Sequence, residues 1–97
     1  MQQTTILDRV RAVFAEFYGP SKLLQVGNDS EIWAEVPPRA AFPPRLMDAI
    51  DHLEFVMALE EEFHVTLPDE MVEKCTTLTA TAAQIEAILA RNLAKTA

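Results

Sequence analysis

Apolar side chains recur with helical spacing in three places along the chain. Ile6, Val10, Val13, Phe14 and Phe17 fall at i, i+4, i+7, i+8 and i+11, one stripe of 3.6-residue period. Thr5 with Asp8 three residues on reads as a capping box, aspartate standing in the usual Glu/Gln place, and Gly19-Pro20 supplies the stop. A second helix is predicted from about Ala49 to Phe63. On its wheel Leu53, Phe55, Val56, Leu59 and Phe63 cluster on one side, expected in the core. Asp51, Glu54, Ala58 and Glu61 cluster on the other, bordered by Ile50 and Met57. Leu78, Ala82, Ile85 and Leu89 mark a last helix, with Thr77 as N-cap, and the tail from Asn92 to Ala97 is expected to fray. Between these two helices, Pro68-Asp69-Glu70 reads as the start of a short one, acids following a proline at a helix N-terminus.

Residues 20–46 break the pattern. Five of the six prolines lie here (Pro20, Pro37, Pro38, Pro43, Pro44), and two Pro-Pro pairs exclude both a regular helix and a central strand. The stretch Glu31 to Val36 alternates weakly. It is read as loop that lays Ile32, Trp33 or Val36 against the helices. A connection this long often has a functional reason; the plainer reading is a tethered crossover between two parallel-running helices. With no repeat and no strand pattern, residues 1–97 read as a single all-α domain of three main helices, one short one and a long first loop.

Charge narrows the partners. The formal net charge is −7, and nine carboxylates lie between Asp48 and Glu73 with no Lys or Arg among them. Such a block repels phosphate backbones and anionic lipid heads and steers toward basic protein surfaces. No nucleic acid and no membrane partner is therefore expected. The longest apolar runs are a few residues, far short of the roughly 20 that span a bilayer. No basic run followed by an apolar segment marks the N-terminus, so no secretory signal is expected. One cysteine allows no internal disulfide and fits a reducing compartment. The expectation is a cytoplasmic monomer.

The stretch Asp48-Ala-Ile-Asp-His-Leu-Glu-Phe-Val-Met-Ala-Leu-Glu-Glu-Glu-Phe63, followed by Leu67-Pro68-Asp69-Glu70 and Lys74-Cys-Thr-Thr-Leu78, resembles bacterial acyl carrier proteins. The likeness is specific over residues 46–79, architectural for the outer helices and weak in the first loop. It implies an acyl-carrier-protein-like four-helix bundle with a long Pro-rich first loop and a short third helix. In that family a serine in Asp-Ser-Leu at the head of the second helix carries 4′-phosphopantetheine, whose thiol holds acyl cargo as a thioester, and the carrier itself catalyses nothing. The motif sets Asp48 on the aspartate, Ile50 on the leucine and Ala49 on the serine. Alanine has no hydroxyl, so no phosphodiester forms there. Either a Ser→Ala substitution was made to lock a carrier in its apo form, or this is a natural module that lost the arm and acts as an acidic adaptor. Met47, where many members have a small residue nearby, and the longer loop suggest a specialised biosynthetic pathway.

The resemblance also implies a partner surface: Asp48, Ile50, Asp51, Glu54, Met57, Ala58 and Glu61. It would meet a phosphopantetheinyl transferase and acyl-transferring, adenylating or condensing enzymes with basic docking surfaces. The other candidates are structural. His52 and His64 have no cysteine at ligand spacing, so no metal site is expected; His52 reads as a partly buried ring, and His64 as a residue at a helix terminus. Cys75 reads as a buried, inert thiol and Trp33 as a packing residue. No segment has an EF-hand pattern, and weak divalent binding at Glu60-Glu61-Glu62 is the most the acids allow.

Overall fold

The computed structural model describes residues 5–33 and 49–96, with Ala49, Lys95 and Thr96 described by their backbone alone. The described residues are all-helical: α1 (Ile6–Tyr18), α2 (Pro20–Gln25), α3 (Ala49–Phe63), α4 (Asp69–Val72) and α5 (Leu78–Thr96). Val36, the two Pro-Pro pairs, Met47 and Asp48 lie outside them.

α1 forms as its stripe and cap dictate. Thr5 Oγ1 accepts from the Asp8 N–H at 3.0 Å and Asp8 Oδ2 accepts from the Thr5 N–H at 3.3 Å, so both orphan donors of the first turn are satisfied. Val10, Val13 and Phe14 are buried, while Phe17 at the edge of the stripe stays 40% exposed. Gly19, at φ +87°, ends the helix in a conformation that L side chains rarely adopt.

The reading of residues 20–46 as loop is corrected at its start. Pro20 sits at the first position of α2, where its fixed φ suits a helix and its missing N–H costs nothing. The Gly-Pro pair thus ends one helix and opens the next, and the four-helix count becomes five among the described residues. From Val26 to Trp33 the chain is irregular but pinned. The Asn28 carbonyl accepts from the Thr79 N–H at 3.0 Å, Arg11 donates to Asn28 Oδ1, and the Thr76 carbonyl accepts from the Ile32 N–H at 2.8 Å. These bonds seat Ile32 and Trp33 in the core, as the loop reading expected.

The core lies where α1, α3 and α5 face one another. Phe55 meets Phe14 edge-on at 6.1 Å and Phe17 at 6.3 Å, and Val56, Leu59, Phe63, Met71, Leu78, Ile85 and Ile88 close around them. Burying side chains of this size contributes about 1.5–3 kcal/mol each before conformational entropy is set against it. α3 ends at His64, whose φ is +56°; the Val65 N–H reaches back to the Glu60 carbonyl at 3.0 Å, the bond that closes a left-handed C-cap. Glu60 Oε2 then accepts from the Leu67 N–H at 2.7 Å and fixes the turn into α4, whose N-cap is Pro68. Thr77 caps α5, its Oγ1 accepting from the Ala80 N–H at 2.9 Å. The tail expected to fray from Asn92 continues as helix to Thr96. Its Ala- and Lys-containing sequence favours the helix.

Candidate functional site

The outer side of α3 sets large apolar side chains among carboxylates. Successive helix positions turn by about 100°, which sets Met57, Ile50, Glu61 and Glu54 next to one another around the axis. All four are exposed. Ile50 is 68% exposed and Met57 57%, two large apolar groups held in water between carboxylates. Leu53, expected in the core, is 54% exposed and widens the apolar strip on one flank. It stands about 100° from the middle of the buried side, a margin where a neighbour decides burial. On the other flank Asp51 is half-buried and Ala58 packs against the core, so Ala58 borders the surface rather than projecting from it.

The acidic run at the helix end is divided by the fold. Glu60 holds the Leu67 N–H. Glu62 receives Arg9 from α1: Nε and Nη2 reach its Oε2 at 3.2 and 3.0 Å, and the guanidinium lies 4.2 Å over the Phe63 ring. That cation also stands at the negative end of the α3 dipole. Both partners are more than two-fifths exposed, so the pair contributes at most about 1 kcal/mol. Glu61 therefore faces outward while its neighbours are engaged. Among the described residues no group of three His, Cys, Asp or Glu is placed to hold a metal ion.

Behind this face the first turns of α3 are anchored by His52. The ring is buried, more fully than its sequence position suggested, and stacks on Trp33; its Nε2 lies 3.1 Å from the Cys75 carbonyl. On the wheel His52 falls between Leu59 and Phe63, a signal of burial available in the sequence; its partner Trp33 has no such signal. Burial holds the imidazole below its ordinary pKa, against the opposing pull of the Cys75 carbonyl. The Cys75 thiol is buried and pushed up to about 11, so it stays protonated and unreactive at neutral pH.

Residue 49, the first of α3, is alanine, and the sequence holds no Ser, Thr or Tyr from Glu31 to Val65. Neither α3 nor the segment leading into it offers a hydroxyl for a phosphodiester. Asp48, the other residue expected beside it, lies outside the described residues.

The family described as "Phosphopantetheine attachment site" matches residues 47–85. Over 79 residues the chain is 40% identical to an acyl carrier protein of Thermosynechococcus vestitus, a match covering 80% of this chain and 84% of that protein. It is 33% identical over 79 residues to an acyl carrier protein of Cyanidioschyzon merolae, covering 80% and 75%.

Proposed function

The chain belongs to the acyl carrier protein family, and from that premise we propose that it meets biosynthetic enzymes through the outer side of α3, in a form whose arm-attachment position is alanine. Members of this family are carriers rather than enzymes. The observation that carries the reading is the stripe Ile50–Glu54–Met57–Glu61 with Leu53 at its flank, exposed apolar groups set among carboxylates. A face of this kind has two uses in one encounter. Its charge draws a basic surface from a distance and speeds association; its apolar strip is desolvated only on contact and supplies short-range affinity. Exposed charge pairs add little each, so complexes form fast and part readily, as a shuttle serving several enzymes requires.

The family implies 4′-phosphopantetheine as the cargo-bearing arm, but this chain does not fit its attachment. Ala49 occupies the serine position of the motif and no hydroxyl lies nearby in sequence. We therefore read the chain as apo-locked: the docking face is retained and the arm is missing. The partners are a phosphopantetheinyl transferase and acyl-transferring, adenylating or condensing enzymes with basic docking surfaces, in the cytoplasm. Met47 and the long Pro-rich segment ahead of α3 support a specialised pathway.

The test restores one oxygen. Ala49→Ser, incubated with a phosphopantetheinyl transferase and coenzyme A, gains the mass of the arm, while the unaltered chain gains none. A serine variant that folds and stays unmodified would sink the carrier reading and leave an adaptor that only docks.

A further inference from the structure

His52 and Trp33 lie on the inner side of α3, away from the docking face, and bring three segments of the chain together. The indole lies flat on the imidazole, ring centroids 3.9 Å apart and planes 6° from parallel. Both rings are buried, 8% exposed for Trp33 and 3% for His52. His52 Nε2 is 3.1 Å from the Cys75 carbonyl oxygen, which can only accept, so Nε2 carries the proton and donates. The next carbonyl, of Thr76, accepts from the Ile32 N–H at 2.8 Å. The first turns of α3, the Ile32–Trp33 segment and the link between α4 and α5 thus converge on one imidazole.

We propose that this stack is an acid-sensitive clasp: neutral His52 holds the Ile32–Trp33 segment and the Cys75–Thr76 link against α3, and protonation of His52 loosens them together.

The chemistry of the ring gives the direction. With Nε2 committed to Cys75, a second proton goes to Nδ1, which makes no hydrogen bond among the described residues. Protonation therefore places a charge on a ring that is only 3% exposed. The face of Trp33 attracts a cation, but that attraction is smaller than the cost of desolvating a charge. The charged groups near the ring in sequence come from each packed segment. Glu31 precedes Ile32–Trp33, Asp51 and Glu54 flank His52 on α3, and Glu73 and Lys74 precede Cys75. Among the described residues, Glu31, Glu54, Glu73 and Lys74 form no hydrogen bond or ion pair with the ring. The Cys75 thiol gives no counter-charge either: burial keeps it protonated, and it donates to the Met71 carbonyl at 3.4 Å.

The pH window follows. The closed clasp holds His52 below the ordinary value of 6.5, whereas the opened one takes up its proton near that value. Between the two, the opened form binds more protons. The closed form is therefore fully favoured above pH 6.5 and loses that advantage as pH falls through the window below it.

Trp33 is the sole tryptophan, so its emission reports the stack directly. Acidifying the intact protein from pH 7.5 to about 5 is expected to shift that emission to the red in one step. His52 ring signals in the NMR spectrum should titrate with a midpoint below 6.5. His52→Gln keeps an N–H near the Nε2 position and takes up no proton, so it removes the step; His64→Gln leaves it in place. A His52 midpoint at or above 6.5 in the folded protein overturns the proposal, and so does an emission step that persists in His52→Gln. The NMR titration uses the unaltered chain and decides the question even if the variant does not fold. None of these readouts involves a docking partner, so the clasp and the docking face stand or fall separately.

Discussion

α1 and α3 are both amphipathic and pack against each other, yet they place their large apolar side chains differently. α1 sends Val10, Val13 and Phe14 inside, half-buries Ile6, Leu7 and Tyr18, and leaves Phe17 at a margin where its ring still meets Phe55. α3 buries Phe55, Val56, Leu59 and Phe63 and holds Ile50, Leu53 and Met57 in water, interleaved with Glu54 and Glu61. A scattered exposed leucine is ordinary. Three large apolar groups within two turns, ringed by a single sign of charge, are what a binding surface looks like before its partner arrives. The difference says that α1 serves the core alone, while α3 serves the core on one side and, on the proposed reading, a second molecule on the other.

The largest effect that can break this comparison is Phe55→Ala. The ring is fully buried between Phe14 and Phe17, so truncation leaves a cavity and costs about 3–5 kcal/mol. That is a large share of the 5–15 kcal/mol typical of folded domains, and urea unfolding reads it directly. Met57→Ala, two residues along the same helix, should stay within about 0.5 kcal/mol, because the side chain it shortens is already in water. Equal losses at the two positions would mean that α3 has no side turned away from the core.

The next effect is on binding. Glu54→Lys reverses a charge in the middle of the exposed stripe. It should weaken capture by a cognate enzyme about tenfold, or about 1.4 kcal/mol, mainly through slower association and a weaker salt dependence. Far-UV circular dichroism should not change. An affinity that does not move in an isothermal titration would count against the docking face while leaving the fold intact.

What the sequence made legible follows from how local each signal is. The α1 stripe, the Thr5–Asp8 box and the Thr77 cap are relations among residues within four positions of one another, and each is found as read. α2 escaped because six residues make less than two turns and none of them is buried, so no stripe could form over the prolines that follow. Leu53 escaped for a tertiary reason: its wheel position is a margin, and whether a margin is covered depends on the neighbouring element. The Trp33–His52 stack joins positions far apart in the chain, and only half of it was visible, in the wheel position of His52. The acid run 60–62 read as one feature; the fold gives Glu60 to a turn and Glu62 to Arg9, leaving Glu61 with the outward face. At the head of α3 the sequence remains the fuller witness, since Asp48 and the segment before it lie outside the described residues.

The smallest effect sharpens the comparison from the side of α1. Thr5→Ala removes the acceptor for the Asp8 N–H and, with it, the reciprocal geometry that brings Asp8 Oδ2 to the Thr5 N–H. Both bonds are exposed to water, which replaces part of what is lost, so the cost belongs near the lower end of the range for N-caps, about 0.5–1 kcal/mol. Because α1 packs on α3 but lends nothing to the exposed stripe, the same variant should bind a cognate enzyme as the unaltered chain does. Glu54→Lys should show the reverse pattern, with affinity reduced and stability kept. If Thr5→Ala weakens binding as much as Glu54→Lys does, the docking face depends on how tightly α1 holds α3, and the division of labour between the two helices fails.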